Sequence, residues 1–178
     1  MTLPNIITGI RFLLIPVFSI VYFSSLEHAR LVALLIFIGA MALDVLDGFI
    51  ARRFHMVTNI GKMLDPVADK CLVITVISCL VSGGIIHKWF LYFVICKECI
   101  MILAGTVMYG REKLVIPSNV FGKLATFLMF LFLVDAMYFG KYLTVFSWVV
   151  VGALALAFVT YAVKLLCIKK GQGTSIAK

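Results

Sequence analysis

The sequence predicts an all-α, polytopic membrane protein built as a bundle of six transmembrane helices. Of its 178 residues, 63% are hydrophobic and 13% are charged, and the mean hydropathy is +1.15. Apolar stretches also recur at a length of about 20 residues, which a helix needs to cross a hydrocarbon core of about 30 Å. A water-soluble domain of this length does not have such a composition.

Six apolar runs follow one another along the chain with short connections. They cover residues 6–24, 31–51, 65–86, 89–109, 118–138 and 143–166. The first run lacks a basic segment and a small-residue cleavage site, which favours a retained helix over a signal peptide. Because short connections make neighbouring helices antiparallel, we expect residues 1–178 to form a single domain.

Basic residues predict the orientation of the bundle. On the side of the N-terminus lie Arg11, Arg52, Arg53, Lys62, Lys70, Arg111, Lys113, Lys123, Lys164, Lys169, Lys170 and Lys178, and on the other side Arg30, Lys88 and Lys141. The positive-inside rule therefore predicts that both termini are cytoplasmic. Since the net charge of +8 is spread over helix ends and loops, we expect anionic lipids and phosphate-bearing ligands as partners rather than nucleic acid.

Four aspartates stand out in this apolar background. Asp44 and Asp47 lie three residues apart at the end of the second predicted helix, and Asp65 and Asp69 lie four apart at the start of the third. Each pair therefore shares a helix face, and the intervening loop places both pairs at one depth. A carboxylate at the bilayer centre costs at least about 2.5 kcal/mol, so these four need compensation.

A bound cation is the compensation that this pattern favours. Two opposed acidic faces repel each other unless a positive charge lies between them, and an oxygen-rich set without His or Cys suits Mg²⁺ or Mn²⁺ rather than zinc. Four carboxylates exceed what one hydrated ion usually takes. The pattern thus predicts two ions, an arrangement suited to holding a phosphoryl group during in-line displacement.

The residues between the aspartates fit a phosphate-bearing ligand. Gly48 and Ala51 leave room beside the helix, and Arg52 supplies a positive charge about two turns from Asp44. Gly61 is expected to turn the loop tightly into the third helix, with Pro66 in the first turn of that helix. Thr58 offers a hydroxyl in the loop.

Two other interpretations of the aspartates are open. They could be interfacial acids neutralised by the basic residues around them, although this explains neither the pairing by helical turn nor the small residues between them. They could also bind a cation in a transporter or channel. Such a pathway should continue across the bilayer, but the far half of the bundle offers only Asp135, expected to reach the external interface, and loop charges.

The spacing of eight residues resembles the signature of the CDP-alcohol phosphotransferases, membrane enzymes that make phospholipids from a CDP-activated lipid and an alcohol. These residues are Asp44, Asp47, Gly48, Ala51, Arg52, Gly61, Asp65 and Asp69. Within the family the chain is most similar to bacterial phosphatidylglycerophosphate synthases, through the segments "LPNIITGIRFLLIP", "VTNIGKMLDPVADK" and "SNVFGKLAT". The resemblance covers nearly the whole chain and implies a homodimer in the bacterial cytoplasmic membrane with its active site at the cytoplasmic face.

The resemblance implies a role for each signature residue. Asp44, Asp47, Asp65 and Asp69 would bind the metals, and Asp69 would also be the general base that deprotonates the acceptor hydroxyl. CDP-diacylglycerol would be the donor. Its CDP group would contact the residues that follow the first aspartates, and the N-terminal polar residues would lie close to it. The residues expected to contact the CDP group are Gly48, Ala51, Arg52, Thr58 and Gly61. The N-terminal polar residues expected close to it are Asn5, Thr8 and Arg11.

The acceptor is less tightly defined than the reaction. Glycerol 3-phosphate brings a phosphate that needs cations, for which Arg111 and Lys123 are candidates, although both are also ordinary positive-inside residues. The synthases usually carry an Arg-Glu pair where this chain has Lys97 and Glu98, and a lysine where it has Ala125. Phosphatidylglycerol, inositol phosphate and serine therefore stay open as alternative acceptors. Lys97 and Glu98, about 100° apart on their helix, are too far round it to be an ideal pair with each other. They are expected either to form the polar wall of a cavity or, as we favour, to hydrogen-bond to other helices.

Overall fold

The computed structural model describes residues 3–53, 59–112, 120–140 and 142–173. Within these ranges the chain is all-helical, without strands, as the sequence predicts. The six helices are α1 (Leu3–Tyr22), α2 (Ala29–Arg53), α3 (Asn59–Ser82), α4 (Lys88–Glu112), α5 (Val120–Tyr138) and α6 (Leu143–Gly173).

Three segments of the described helices are long and apolar enough to cross a membrane. They are Ala29–Leu46 in α2, Val120–Tyr138 in α5 and Leu143–Val163 in α6. Large apolar side chains on their surfaces are exposed, such as Leu35, Val145 and Leu156. Since side chains of this kind are stable against lipid but not against water, the fold is that of an integral membrane protein.

The start of α3 differs from the sequence-based expectation. This helix begins at Asn59, so Gly61 lies inside it rather than in a loop, and Pro66 lies about two turns in rather than in the first turn. The expectation was wrong because it equated the helix with its apolar run, whereas the polar residues before that run are helical too. Pro66 has no N–H to donate to the preceding turn.

The chain divides into two compact units. The first comprises residues 1–95 and 136–140, and the second comprises residues 96–135 and 141–178. In the first unit, α1 packs against both α2 and α3, and α2 contacts α3. Its core contains the fully buried side chains of Phe18, Phe37, Leu72, Ile77 and Leu80.

Helix α3 ends in a Schellman motif. Gly84 has a positive φ of 71°, its N–H donates to the carbonyl of Val81 over 3.0 Å, and the N–H of Ile85 donates to the carbonyl of Leu80 over 2.9 Å. The left-handed conformation at Gly84 satisfies two carbonyls that the end of the helix would otherwise leave free. The motif therefore fixes where α3 stops.

The second unit has its own core, formed by regularly spaced residues of α5 and α6. Ala125, Met129 and Phe132 form a buried row on α5, with the three- and four-residue spacing of one helix face. Phe132 packs edge-on against Phe146 of α6, with ring centroids 5.5 Å apart, and Val150 continues this side of α6. Among the described residues, this ring pair joins α5 to α6.

Candidate active site on α1, α2 and α3

Two helices of the first unit carry the four aspartates. Asp44 and Asp47 lie on α2, and Asp65 and Asp69 lie on α3. Asp44 and Asp69 are partly exposed, whereas the side chains of Asp47 and Asp65 lie outside what the structure describes. The helical backbone therefore places the two aspartates of each pair on one helix face, as predicted. The positions of the carboxylates of Asp47 and Asp65 stay predictions.

Helix α1 contributes a buried arginine to the acidic end of α2. Arg11 is 1% exposed, and its Nη1 lies 2.7 Å from Oδ1 of Asp44. The packing of α1 against α2 makes this contact between residues far apart in sequence. A charge so deeply buried is expected to be paired, and Asp44 is the partner that the fold provides.

The ion pair leaves most of the hydrogen-bonding capacity of Arg11 unused. The N–H bonds of Nη1 are not aimed at Asp44, and within the described residues neither Nε, Nη1 nor Nη2 makes a hydrogen bond of good geometry. A guanidinium has five N–H donors arranged to match phosphate or carboxylate oxygens. Since leaving buried donors unsatisfied is costly, the geometry favours an anionic ligand beside Arg11.

Asp44 keeps access to a ligand despite this partner. Its side chain is 37% exposed, so the contact with Arg11 does not seal it. An oxygen donor of this kind fits a hard divalent cation. Within the part of the chain that the structure describes there is no group of three or more His, Cys, Asp or Glu side chains, since that part includes only Asp44 and Asp69 of the four aspartates.

The other predicted donor-binding residues lie on or beside the same three helices. Gly48 follows Asp47 on α2. Thr58 lies outside the described residues. For the other residues the structure describes the helix but not the side chain. The helical ones are Asn5 and Thr8 on α1, Ala51 and Arg52 on α2, and Gly61 on α3.

The two acceptor-phosphate candidates belong to the second unit. Lys123 is exposed near the start of α5, and Arg111 lies near the end of α4, where its side chain is outside the described part. Their role therefore stays a prediction.

Lys97 and Glu98 behave differently from the sequence-based expectation. Nζ of Lys97 contacts Oε1 of Glu98, and the two side chains are 18% and 13% exposed. The expectation that they are too far apart round the helix to pair was wrong, because a long lysine side chain can bend back across the 100° that separates adjacent residues. Glu98 makes a further interaction as well.

Sequence reasoning placed Arg11 near the donor but missed its contact with Asp44. The signal was present, because an arginine within an apolar helix requires a counter-charge. The sequence offers the four aspartates at the predicted depth of Arg11. Which of them it meets depends on how α1 packs against α2, and no local pattern specifies that packing.

Comparisons with known proteins identify the family of the chain. The family model described as CDP-alcohol phosphatidyltransferase matches residues 1–163. A relative from Bacillus subtilis (strain 168), named CDP-diacylglycerol–glycerol-3-phosphate 3-phosphatidyltransferase, is 35% identical over 136 residues, which are 70% of each chain. A relative of the same name from Rickettsia bellii (strain RML369-C) is 35% identical over 133 residues, 71% of this chain and 69% of the relative.

A third relative has another name. The putative cardiolipin synthase of Mycobacterium bovis (strain ATCC BAA-935 / AF2122/97) is 34% identical over 129 residues, which are 71% of this chain and 60% of that protein. On the match over residues 1–163 and the aspartates carried by α2 and α3, the chain belongs to the CDP-alcohol phosphatidyltransferase family.

Proposed function

We propose that the protein transfers the phosphatidyl group of CDP-diacylglycerol to glycerol 3-phosphate, giving phosphatidylglycerophosphate and CMP. The observation that carries this proposal is the buried Arg11 beside the part-exposed Asp44. It supplies a cation with unused donors next to a carboxylate that a ligand can reach. The relatives from Bacillus subtilis and Rickettsia bellii, whose names state this acceptor, support the choice of glycerol 3-phosphate.

The donor would be held by cations and by small residues along α2. Arg52 and Arg11 would neutralise the diphosphate, since a guanidinium binds phosphate oxygens through two N–H groups at once. Gly48 and Ala51 would leave space for the CDP group beside the helix. Asn5, Thr8, Thr58 and Gly61 would complete the surroundings of this group.

Divalent cations fit the donor set of the site. Asp44, Asp47, Asp65 and Asp69 would hold two Mg²⁺ or Mn²⁺ ions, which prefer carboxylate oxygens. When bound, such ions neutralise charge on the phosphoryl group that is transferred and on its leaving group.

The protein's own residues would then move one proton. Asp69 would accept the proton of the acceptor hydroxyl, whose oxygen forms a bond to the β-phosphorus of CDP-diacylglycerol. The bond from this phosphorus to the oxygen of the CMP leaving group would break, and Arg52 would stabilise the charge that develops on CMP. Arg111 and Lys123 would bind the phosphate of the acceptor.

We further propose six membrane spans, both termini in the cytoplasm and an active site at the cytoplasmic face of a bacterial membrane. The distribution of basic residues supports this orientation. A homodimer is proposed on family resemblance alone.

Phosphatidylglycerol is the second candidate acceptor. The putative cardiolipin synthase of Mycobacterium bovis is nearly as similar to this chain as the phosphatidyltransferases are. Ala125 also favours an altered acceptor site, because it stands where the synthases commonly carry a lysine and is 1% exposed within the buried row of α5. Both reactions use the same donor and release the same nucleotide.

The acceptor is tested by identifying the lipid product. The purified protein in detergent is supplied with CDP-diacylglycerol, Mg²⁺ and one acceptor at a time: glycerol 3-phosphate, phosphatidylglycerol, inositol phosphate or serine. Mass spectrometry is expected to find phosphatidylglycerophosphate with the first acceptor and no new lipid with the others. Cardiolipin from phosphatidylglycerol would instead assign the second candidate function.

A further inference from the structure

A polar cavity lies at the end of the first unit remote from the aspartates. Its volume is about 460 Å³, within the range of about 300–1,000 Å³ typical of ligand sites. The end of α1, the segment before α2, the start of α2 and the end of α5 line it, including Tyr22, Glu27, Arg30 and Tyr138. Arg30 and Asp44 are separated by 14 residues of α2, or about 21 Å along the helix.

This separation places the cavity at the other membrane interface. Residues 29–46 of α2 form one of the apolar segments long enough to span a bilayer, with Arg30 near one end and Asp44 near the other. The exposed aromatic side chains of Phe23 and Tyr138 lie at the same end as Arg30. Such side chains favour the depth of lipid head groups, so the cavity opens where a head group would be.

Two groups in the cavity have unused capacity to donate hydrogen bonds. Tyr22 is 8% exposed, yet within the described residues its hydroxyl makes no hydrogen bond. The absence of a side chain at Gly83 makes room for that hydroxyl, which would lie 2.7 Å from a Cβ there. Arg30 is exposed and lines the cavity close enough to act electrostatically on Tyr22, and it has no carboxylate partner within the described ranges.

Glu27, which lines the cavity together with the polar residues Ser24 and His28, matches the other half of a phospholipid head group. The carboxylate of Glu27 can accept hydrogen bonds from hydroxyls, and Leu26, Leu31 and Met137 supply apolar contacts. A phosphate ester with a hydroxylated head group and acyl chains has a partner for each part of the cavity. Its phosphate suits Arg30 and Tyr22, its hydroxyls suit Glu27, and its acyl chains suit the apolar residues. A small free anion would leave the apolar wall and Glu27 without partners.

We propose that this cavity binds a phospholipid with a glycerol head group, in the leaflet remote from the aspartates. The lipid phosphate contacts Arg30 and the hydroxyl of Tyr22, and the head-group hydroxyls contact Glu27. This site is independent of the proposed transferase reaction, because none of its residues belongs to the acidic end of α2 or α3.

The test measures retained lipid by native mass spectrometry of the full chain in detergent with added phosphatidylglycerol. The variant Arg30→Gln removes the guanidinium, and Tyr22→Phe removes only a hydroxyl. Lys88→Gln is the matched control, because Lys88 is an exposed cation at the start of α4 and outside the cavity lining. A symmetrical thermal transition for each variant shows that it is folded.

We expect Arg30→Gln to weaken phosphatidylglycerol retention about tenfold, Tyr22→Phe to weaken it less, and Lys88→Gln to leave it unchanged. Diacylglycerol, which lacks the phosphate, should not be retained, and millimolar inorganic phosphate should not displace the lipid. Equal retention by the three variants would overturn the proposal. So would displacement by inorganic phosphate, which would assign the cavity to a free anion.

Discussion

Arg11 illustrates how one side chain links the fold to the chemistry of the site. Its burial requires a carboxylate, and the contact with Asp44 ties α1 to the acidic end of α2. In the proposed reaction, a metal ion held by Asp44 would compete with the positive charge of Arg11. The N–H groups of Arg11 would then be available to the diphosphate of the donor.

This competition predicts the effect of Arg11→Met on metal binding. Removing the buried cation should tighten Mn²⁺ binding in the absence of nucleotide on the order of tenfold, because a like charge near the ligands is lost. Arg11→Lys, which keeps the charge, should bind Mn²⁺ about as the original protein does. Isothermal titration calorimetry measures both variants, and weaker binding by Arg11→Met would contradict a competing role.

Asp135 shows that an isolated polar residue is hard to place from sequence. It was expected to reach the external interface, which stays a prediction: the residue is partly exposed, while its Oδ2 is buried without a hydrogen-bond partner among the described residues. Its position near the end of α5 suggested the interface. Whether its side chain reaches solvent depends on the packing around α5, which the sequence pattern does not reveal.

At the scale of the helices, the apolar runs predicted the position of each helix better than the residue at which it begins. Each of the six predicted segments is mostly helical within the described ranges, although residues 23–24 and 83–86 lie beyond the ends of α1 and α3. About 20 consecutive apolar residues in a membrane must satisfy their own backbone groups. The start of α3 was missed, since its polar first residues resemble a loop. The end of α3 is set by Gly84 and is explained by the Schellman motif.

The backbone conformations of Gly84 and Gly39 predict different effects for their substitution by alanine. Gly84→Ala should lower the free energy of unfolding by about 1–2 kcal/mol, because a Cβ disfavours the left-handed conformation at φ 71°. Gly39→Ala should leave it unchanged or raise it by up to about 1 kcal/mol, because Gly39 is inside α2 with no atom within 4 Å of a Cβ.

Thermal unfolding in detergent compares these two alanine variants under the same conditions. A lower midpoint for Gly84→Ala alone is the expected result. An equal shift in both proteins would show that the end of α3 does not depend on the left-handed glycine.

At the scale of the whole molecule, the sequence supports six spans with both termini on one side. The structure bears out the all-helical fold and provides three segments that meet the requirements for spanning. The other three helices carry polar residues as well, such as Arg11 on α1, Asp69 on α3 and Lys97 on α4.

Reporter fusions test the predicted orientation. Green fluorescent protein fused after Lys178 should fluoresce and alkaline phosphatase at the same position should be inactive, because both report a cytoplasmic C-terminus. A fusion truncated after Phe139, beyond α5, should give the reverse result. Active alkaline phosphatase after Lys178 would contradict the predicted cytoplasmic C-terminus.

The reaction type was predictable because it depends on residue identities at fixed spacing, which a sequence displays directly. The contact of Arg11 with Asp44, the pairing of Lys97 with Glu98 and the buried Oδ2 of Asp135 were not, because each depends on side-chain conformation or helix packing. The acceptor is hardest to predict, since Arg111 and Lys123 are indistinguishable by pattern from residues that only orient a membrane protein.

The central claim is that the four aspartates support metal-dependent transfer from CDP-diacylglycerol. The most direct measurement is the rate of CMP release with glycerol 3-phosphate, with Mg²⁺ and with excess chelator, for the original protein, Asp69→Asn and Asp135→Asn. The last variant is the control, because it removes a membrane carboxylate outside the site. The account predicts Mg²⁺-dependent release that Asp69→Asn lowers at least about 100-fold and Asp135→Asn largely preserves, whereas release that persists in Asp69→Asn or with chelator would contradict it.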